Sequence, residues 1–241
     1  MASVKEHYED VLSDVYSWLY GGFSDGVQNN LDFFKQHKVA PQGSGIAADL
    51  GAGCGFQSIP LAKLGYTVTA IDLDTKLLNE LNEHAGGLGI TTIHGDLLDF
   101  DKSLNNSVEL FVCMTDTLLH LESKENVQTL FKKVYTALET DGKFVITFRD
   151  LTFELKELDR ILPVKSAEDI VFTCFLEYEP ETVKVHDIVY QRIDGAWNLA
   201  KSFYRKLRLP ASWVSEQLSQ TGFSKIDSNA DKGLVTIIAQ K

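Results

Sequence analysis

Residues 49–65 read "DLGAGCGFQSIPLAKLG". An apolar run closes on Asp49. Glycines follow at alternate positions, Gly51, Gly53 and Gly55, and an apolar-periodic stretch then runs to Gly65. A strand that turns through glycines into a helix lets a ligand approach backbone amides at the helix N-terminus, because glycine has no side chain to hold it off. The dinucleotide turn is spaced G-x-G-x-x-G. Here the spacing is G-x-G-x-G, and Phe56 stands where the third glycine of that pattern belongs. A turn of this kind also serves simply as a tight connection, so its neighbours have to decide what it binds.

On either side of the turn the apolar period is that of strands. "IAADLGAG", "YTVTAIDLD", "ITTIHGD", "VELFVCMTD" and "GKFVITFRD" are short runs rich in β-branched and aromatic residues, most of them ending in an acid or a glycine. The helix-like stretches "FQSIPLAKLG", "TKLLNELNEHAGG" and "KENVQTLFKKVYTALETDG" separate them. Strand alternating with helix predicts a doubly wound parallel sheet of the α/β class, in which ligands sit beyond the carboxyl ends of the strands. Asp49, Asp72, Asp96, Asp116 and Asp150 all fall at or just past those ends. The pattern therefore predicts one acidic rim.

Upstream, "VKEHYEDVLSDVYSWLYGGF" spaces Val4, Tyr8, Val11, Leu12, Val15, Trp18 and Leu19 by threes and fours, the face of one helix. A second helix is predicted around "GVQNNLDFFKQHKV". Downstream of Asp150, "IVFTCFLEYEP", "TVKVHDIVYQRIDG" and "AWNLAKSFYRKLRLP" read as three strands with no helix between them, hence an antiparallel meander. "ASWVSEQLSQTGF" reads as a helix, and "KIDSNADKGLVTIIAQK" as a terminal hairpin. The expected organisation is a single domain over 1–241. It comprises a helical cap (1–45), a cofactor-binding core (46–151), an inserted antiparallel lid (152–209), and a closing helix and hairpin (210–241).

No single feature of the rim identifies a ligand, but its strand ends together describe an adenosine held by edge and ribose. An acid at Asp72, ending the second strand about twenty residues after the glycines, can accept from both ribose hydroxyls. At "HGDLLDF", Asp96 can accept from an exocyclic adenine amine while the Leu97 amide donates to a ring nitrogen.

These motifs together, "DLGAGCG", "AIDLD", "GDLLDF", "LFVCMTDTLLHL" and "LETDGKFVITFRDL", resemble the class I S-adenosylmethionine-dependent methyltransferases from Ile46 to about Leu151, and more loosely to the terminal hairpin. The resemblance implies a Rossmann-like seven-stranded sheet with its last strand antiparallel. It also implies S-adenosyl-L-methionine as cofactor, with S-adenosyl-L-homocysteine as product. Gly51, Ala52, Gly53 and Gly55 would lie against the methionine part and ribose, and Asp49 would receive the methionine amine. Asp72 would hold the ribose, Leu73 would pack on adenine, and Asp96 and Leu97 would read its edge. Met114 and Thr115 would line the methionine end. "YSWLYGGF" resembles the helix that covers the cofactor in many small-molecule members, which makes Tyr16 a candidate contact, although aromatic residues at helical spacing are usually core.

Asp116 sits where the methyl group would emerge. It can position a substrate amine, act as a base, or cap its turn. Arg149 can bind an anionic substrate or pair with Asp150. His120 reads as a packed or hydrogen-bonded helix residue, and His186 as a surface position. The basic run "KSFYRKLRLP" reads as a solvated strand face.

Composition restricts the partners. The net charge of −11 disfavours nucleic acid and anionic membrane at long range. The three cysteines have neither disulfide nor metal-ligand spacing, which predicts a reducing, cytoplasmic setting and no metal. The charged N-terminus is not a secretory signal, and no apolar run approaches the ~18 residues of a membrane span. The fourth strand lacks the Asn/Asp-Pro-Pro-Tyr and Pro-Cys segments of nucleic-acid methyltransferases. The expected partner is a small-molecule methyl acceptor, with the chain a monomer or a homodimer. The alternatives are a non-catalytic adenosylmethionine-binding protein, told apart by turnover, and a nicotinamide oxidoreductase, which the glycine spacing opposes.

Overall fold

The computed structural model describes residues 4–104 and 106–241, so the first three residues of the expected 1–45 cap lie outside it. The main sheet has seven strands: β1 (Ile46–Leu50), β2 (Thr67–Asp72), β3 (Ile90–His94), β4 (Val108–Cys113), β5 (Leu138–Arg149), β10 (Lys225–Asp231) and β11 (Leu234–Gln240). Their order is β10-β11-β5-β4-β1-β2-β3. β1 to β5 pair in parallel, and β11 runs antiparallel to both β5 and β10. The order reverses beside β1, where β4 lies on one side and β2 on the other. The glycine turn therefore leaves the sheet at the switch point of a doubly wound fold.

Central strands buried on both faces read as continuous apolar runs. Phe111 and Val112 of β4, and Phe144, Val145 and Ile146 of β5, are fully buried. Helices flank the sheet: α3 (Phe23–Gln36), α4 (Ser58–Lys63), α5 (Thr75–Ala85), α6 (Lys124–Ala137) and α7 (Ala211–Thr221). α5 begins where the Asp74 side chain accepts from the Leu77 amide at 2.9 Å, and ends on Gly86 in the left-handed region. α6 stops at Ala137, without the "LETDG" that the predicted helix included, because Leu138 already pairs with Val108 across an irregularity in the β4–β5 ladder.

The N-terminal stretch is helical but not one regular helix. It passes from α1 (Val4–His7) through a π turn (Tyr8–Leu12) and a 3₁₀ turn (Ser13–Val15) to α2 (Tyr16–Leu19). The insertion differs from expectation in strand number. It is a four-stranded antiparallel sheet, β6 (Ile161–Ala167), β7 (Ile170–Tyr178), β8 (Thr182–Ile193) and β9 (Ala196–Leu207), where three strands were predicted. The missed strand β6 lies at the sheet edge and contains Pro163, so it lacks the apolar alternation that announces a strand. The N-terminal stretch and the lid share one core. Val11, Leu12 and Val15 pack with Phe172, Leu176, Val183, Val185 and Tyr204.

Candidate functional site

A cavity of about 650 Å³ opens at the carboxyl end of the main sheet. Its floor is the glycine turn and the ends of β2 and β3; its roof comes from the N-terminal stretch and the lid. The sequence-chosen residues Tyr16, Gly51, Gly53, Asp72, Leu73, Asp96, Leu97 and Thr115 all border it. Asp49, Ala52, Gly55, Met114, Asp116 and Arg149 stand outside its lining.

The three glycines do different work. Side chains would collide at two of them: a Cβ on Gly51 would stand 2.3 Å from Thr117 Cγ2, and one on Gly55 would stand 2.2 Å from buried Leu81 Cδ1. These two keep the turn tight. Gly53 faces space, with Leu77 at 3.8 Å and Tyr16 at 3.9 Å from the site of its missing Cβ. It alone of the three leaves room for a side chain. All three have positive φ, which glycine adopts without strain.

Asp72 ties turn to rim. Its Oδ2 accepts from the Gly53 amide and its Oδ1 from the Asp74 amide, both at 2.8 Å. Burial raises its pKa against those hydrogen bonds. Each oxygen keeps a second lone pair for a ligand donor. Asp96 is exposed and caps the short turn after β3, accepting from the Leu98 amide at 2.8 Å. Leu73 is an exposed apolar side chain on the same wall.

The rim of five acids is thus only partly a rim. Asp49 is buried and accepts from Ser58 Oγ at 2.6 Å; burial pushes its carboxyl up to about 7, with Ser58 pulling the other way. Asp150 accepts from Thr152. Asp116 is a buried anchor. It accepts from Lys206 Nζ at 2.7 Å and from the Arg149 amide at 2.7 Å, with Arg149 Nε at 3.7 Å. Burial works to raise its pKa, but Lys206 and Arg149 outweigh it and hold the carboxyl well below the usual range. A carboxylate so placed is a weak base, which counts against that role for Asp116. Its side chain does not cap the following turn either. The Arg149 side chain is exposed and its ion partner is Asp116; of the two roles open to it in the sequence, pairing with Asp150 is not the one formed.

The backbone at this anchor is bent. Thr115 (φ 56°) and Asp116 (φ 68°) are consecutive non-glycine residues in the left-handed region, an arrangement that persists where its surroundings hold it. The Thr115 amide donates to Thr147 Oγ1 at 2.9 Å, and Gln57 Nε2 donates to Thr115 Oγ1 at 3.1 Å.

Several lining residues went unchosen in the sequence. Tyr8, His120, Tyr204 and Arg205 border the cavity. Thr117–His120 is a 3₁₀ turn, in which residues three apart eclipse. Leu118 and Leu119 go to the core, so Thr117 and His120 share the face toward the cavity. The basic run at the end of β9 and just past it is largely consumed in pairing. Arg205 binds Glu179, Lys206 binds Asp116, and Arg208 binds Glu154.

With this geometry in view, comparison with known proteins finds similar chains. A family model described as "Methyltransferase domain" matches residues 47–142. The match spans the core of the chain, and the fold as a whole is that of Rossmann-like methyltransferases. A putative methyltransferase of Geobacillus sp. (strain WCH70) is 24% identical over 225 residues, covering 88% of this chain and 85% of that protein. The CcbJ methyltransferase of Streptomyces caelestis superposes with a TM-score of 0.79 at 19% identity, covering 98% of each chain. The sugar N-methyltransferase KedS8 of Streptoalloteichus sp. superposes at 0.74 and 14% identity, covering 100% of this chain and 97% of that one. These two superpositions extend over the N-terminal stretch and the lid as well as the core.

Proposed function

We propose that the protein transfers a methyl group from S-adenosylmethionine to a small-molecule acceptor held between the glycine turn and the lid. The observation that carries this reading is the cavity itself. It places open space at Gly53, the Asp72 and Asp96 carboxylates and the apolar Leu73 on one continuous wall. That donor and acceptor set fits the nucleoside of the cofactor: Asp72 for the ribose hydroxyls, Leu73 against the base, and Asp96 with the Leu97 amide for the base edge. Tyr16 and Thr115 border the remaining length of the cofactor. Ala52 and Gly55 are part of the turn behind the lining, Asp49 ties its start to Ser58, and Met114 packs in the core just after β4.

When bound, the cofactor supplies a methyl group already activated on a sulfonium. The chain's task is then alignment and exclusion of water. Holding two reactants in line can account for ~7–11 kcal/mol of barrier. Tyr8, Tyr204, His120 and Thr117 wall the part of the cavity toward the lid, the natural seat of the acceptor. A small acceptor accords with the cavity's size and with KedS8, a sugar N-methyltransferase of the same fold.

Titration calorimetry of the full chain with S-adenosylmethionine, S-adenosylhomocysteine and NADH tests the reading. Micromolar binding of both sulfur nucleotides without NADH is expected. Failure of both to bind would withdraw it. Cofactor binding with no methyl transfer across an acceptor library would favour a binding protein of the same fold.

A further inference from the structure

We propose that His120 receives the methyl acceptor by accepting a hydrogen bond from the N–H or O–H of its reacting atom, so that the acceptor is a protic nucleophile. The inference rests on the function proposed above and deepens it.

His120 borders the cavity, and its Nε2 is buried without a hydrogen-bond partner among the described residues. Buried polar atoms are nearly always satisfied, and an unsatisfied one in a ligand cavity asks for a ligand atom. The walls around it are aromatic and close-set. The Tyr8 ring, from the N-terminal stretch, stands edge-on at 5.8 Å between centroids. The Tyr204 ring, from β9, stands edge-on at 5.4 Å. These rings enclose the imidazole in an apolar chamber built from three separate parts of the chain: N-terminal stretch, core and lid. Such a chamber forms only when all three are assembled.

The state of the ring suits an acceptor. Burial, then the charge of Lys206, then His7 hold its pKa well below the ordinary value, against the pull of Asp116. The ring is therefore neutral near pH 7, so that with its proton on Nδ1 it offers the Nε2 lone pair, and no imidazolium opposes an amine. Asp116, with its carboxylate taken by Lys206, does not compete for the acceptor's proton donor. Instead it fixes the start of the turn that carries His120. In a 3₁₀ turn the eclipsed Thr117 brings a second polar side chain to the same wall.

Phenol and anisole are matched probes, alike in shape but differing in one donor. The full chain, with ¹⁵N-labelled histidine, is titrated with each by NMR and calorimetry, with and without S-adenosylhomocysteine. Phenol is expected to bind and to shift the His120 ring nitrogens, while anisole leaves them in place. His120→Phe removes the acceptor atom and should weaken phenol about five- to tenfold, the size of one hydrogen bond, leaving anisole unchanged. His120→Asn keeps an acceptor oxygen and should restore most of the difference. Absence of phenol binding, unmoved His120 nitrogens, or equal phenol-to-anisole preference in wild type and His120→Phe would overturn the inference. S-adenosylhomocysteine binding is read in the same samples. If it is present while the phenol response is absent, this inference alone fails; if it is absent, the proposed function fails.

Discussion

The floor and the roof of the cavity are made by different means. The floor is the end of a parallel sheet, and its side chains are placed by neighbours close in sequence. Asp72 is two residues from the Asp74 amide that it accepts from, and nineteen from that of Gly53. The roof is made by segments far apart in the chain. His7 meets Asp187 at 2.9 Å, Ser13 meets Asp74 at 2.5 Å, and Lys206 meets Asp116 ninety residues away. The floor is a motif and the roof is an assembly. That division teaches where binding and where stability should respond to mutation: changes in the floor should move affinity, and changes at the joints of the roof should move folding.

The largest effect is expected at a joint. Lys206 and Asp116 are both buried, their side chains 9% and 6% exposed. Removing one partner of a buried pair costs about 3–5 kcal/mol, of which Arg149, 3.7 Å from Asp116, offsets a part here. Lys206→Met should therefore lower thermal stability sharply, as followed by circular dichroism. Adding Asp116→Asn to the same chain should recover much of the loss. A Lys206→Met variant as stable as wild type would mean that the lid is not docked on the core through this pair.

Gly53 sharpens the same contrast from the other side. An asparagine there tolerates the left-handed backbone better than a β-branched residue does and sends its side chain into the cavity. Gly53→Asn should keep the protein folded and abolish cofactor binding in calorimetry. Gly55→Asn should instead unfold it, since its Cβ would meet Leu81 in the core. Equal behaviour of the two variants would dissolve the distinction between a glycine for the ligand and a glycine for the turn.

Asp72→Ala should weaken cofactor binding by about 1–3 kcal/mol, roughly 5- to 150-fold. Part of that loss would come through the turn, because the Gly53 amide loses its acceptor. Asp72→Asn retains one carbonyl oxygen and should fall between the two. Unchanged affinity in Asp72→Ala would remove the ribose assignment.

How much of this was legible in the sequence follows the same line. The seven-stranded sheet and the glycine turn could be read because each is a local pattern: a run of β-branched residues, or glycines where φ must be positive. The π turn at Tyr8–Leu12 could not, since it preserves enough helical spacing to look like one helix. Nor could β6, an edge strand with a proline and mostly exposed side chains. Asp116 was located at the correct strand end, yet its partner Lys206 lies in a run that reads as a solvated face. Nothing near either residue signals the other. His120 had a usable signal. In "TLLH" the two leucines are core, and a 3₁₀ reading of those four residues puts Thr117 and His120 together on the other side.

The smallest effect expected is a pH dependence, and it asks whether Asp49 belongs to the floor's chemistry or to its support. Burial raises its carboxyl from 3.8 to about 7 in the folded protein. For an acid with a raised native pKa, the stabilising contribution is fully present below 3.8 and is lost as pH rises through about 7. His120 acts in the opposite sense. Its pKa is lowered in the fold, so its contribution is present above the ordinary histidine value and is lost as pH falls. The two slopes oppose each other between them, so the wild type should show a shallow profile in that range. Asp49→Asn keeps an oxygen for Ser58 and does not titrate. Relative to wild type its melting temperature should gain a few degrees from pH 5 to pH 8 in the absence of ligand. Parallel profiles for the two proteins would mean that Asp49 ionises freely in the fold, as a residue open to the cavity would.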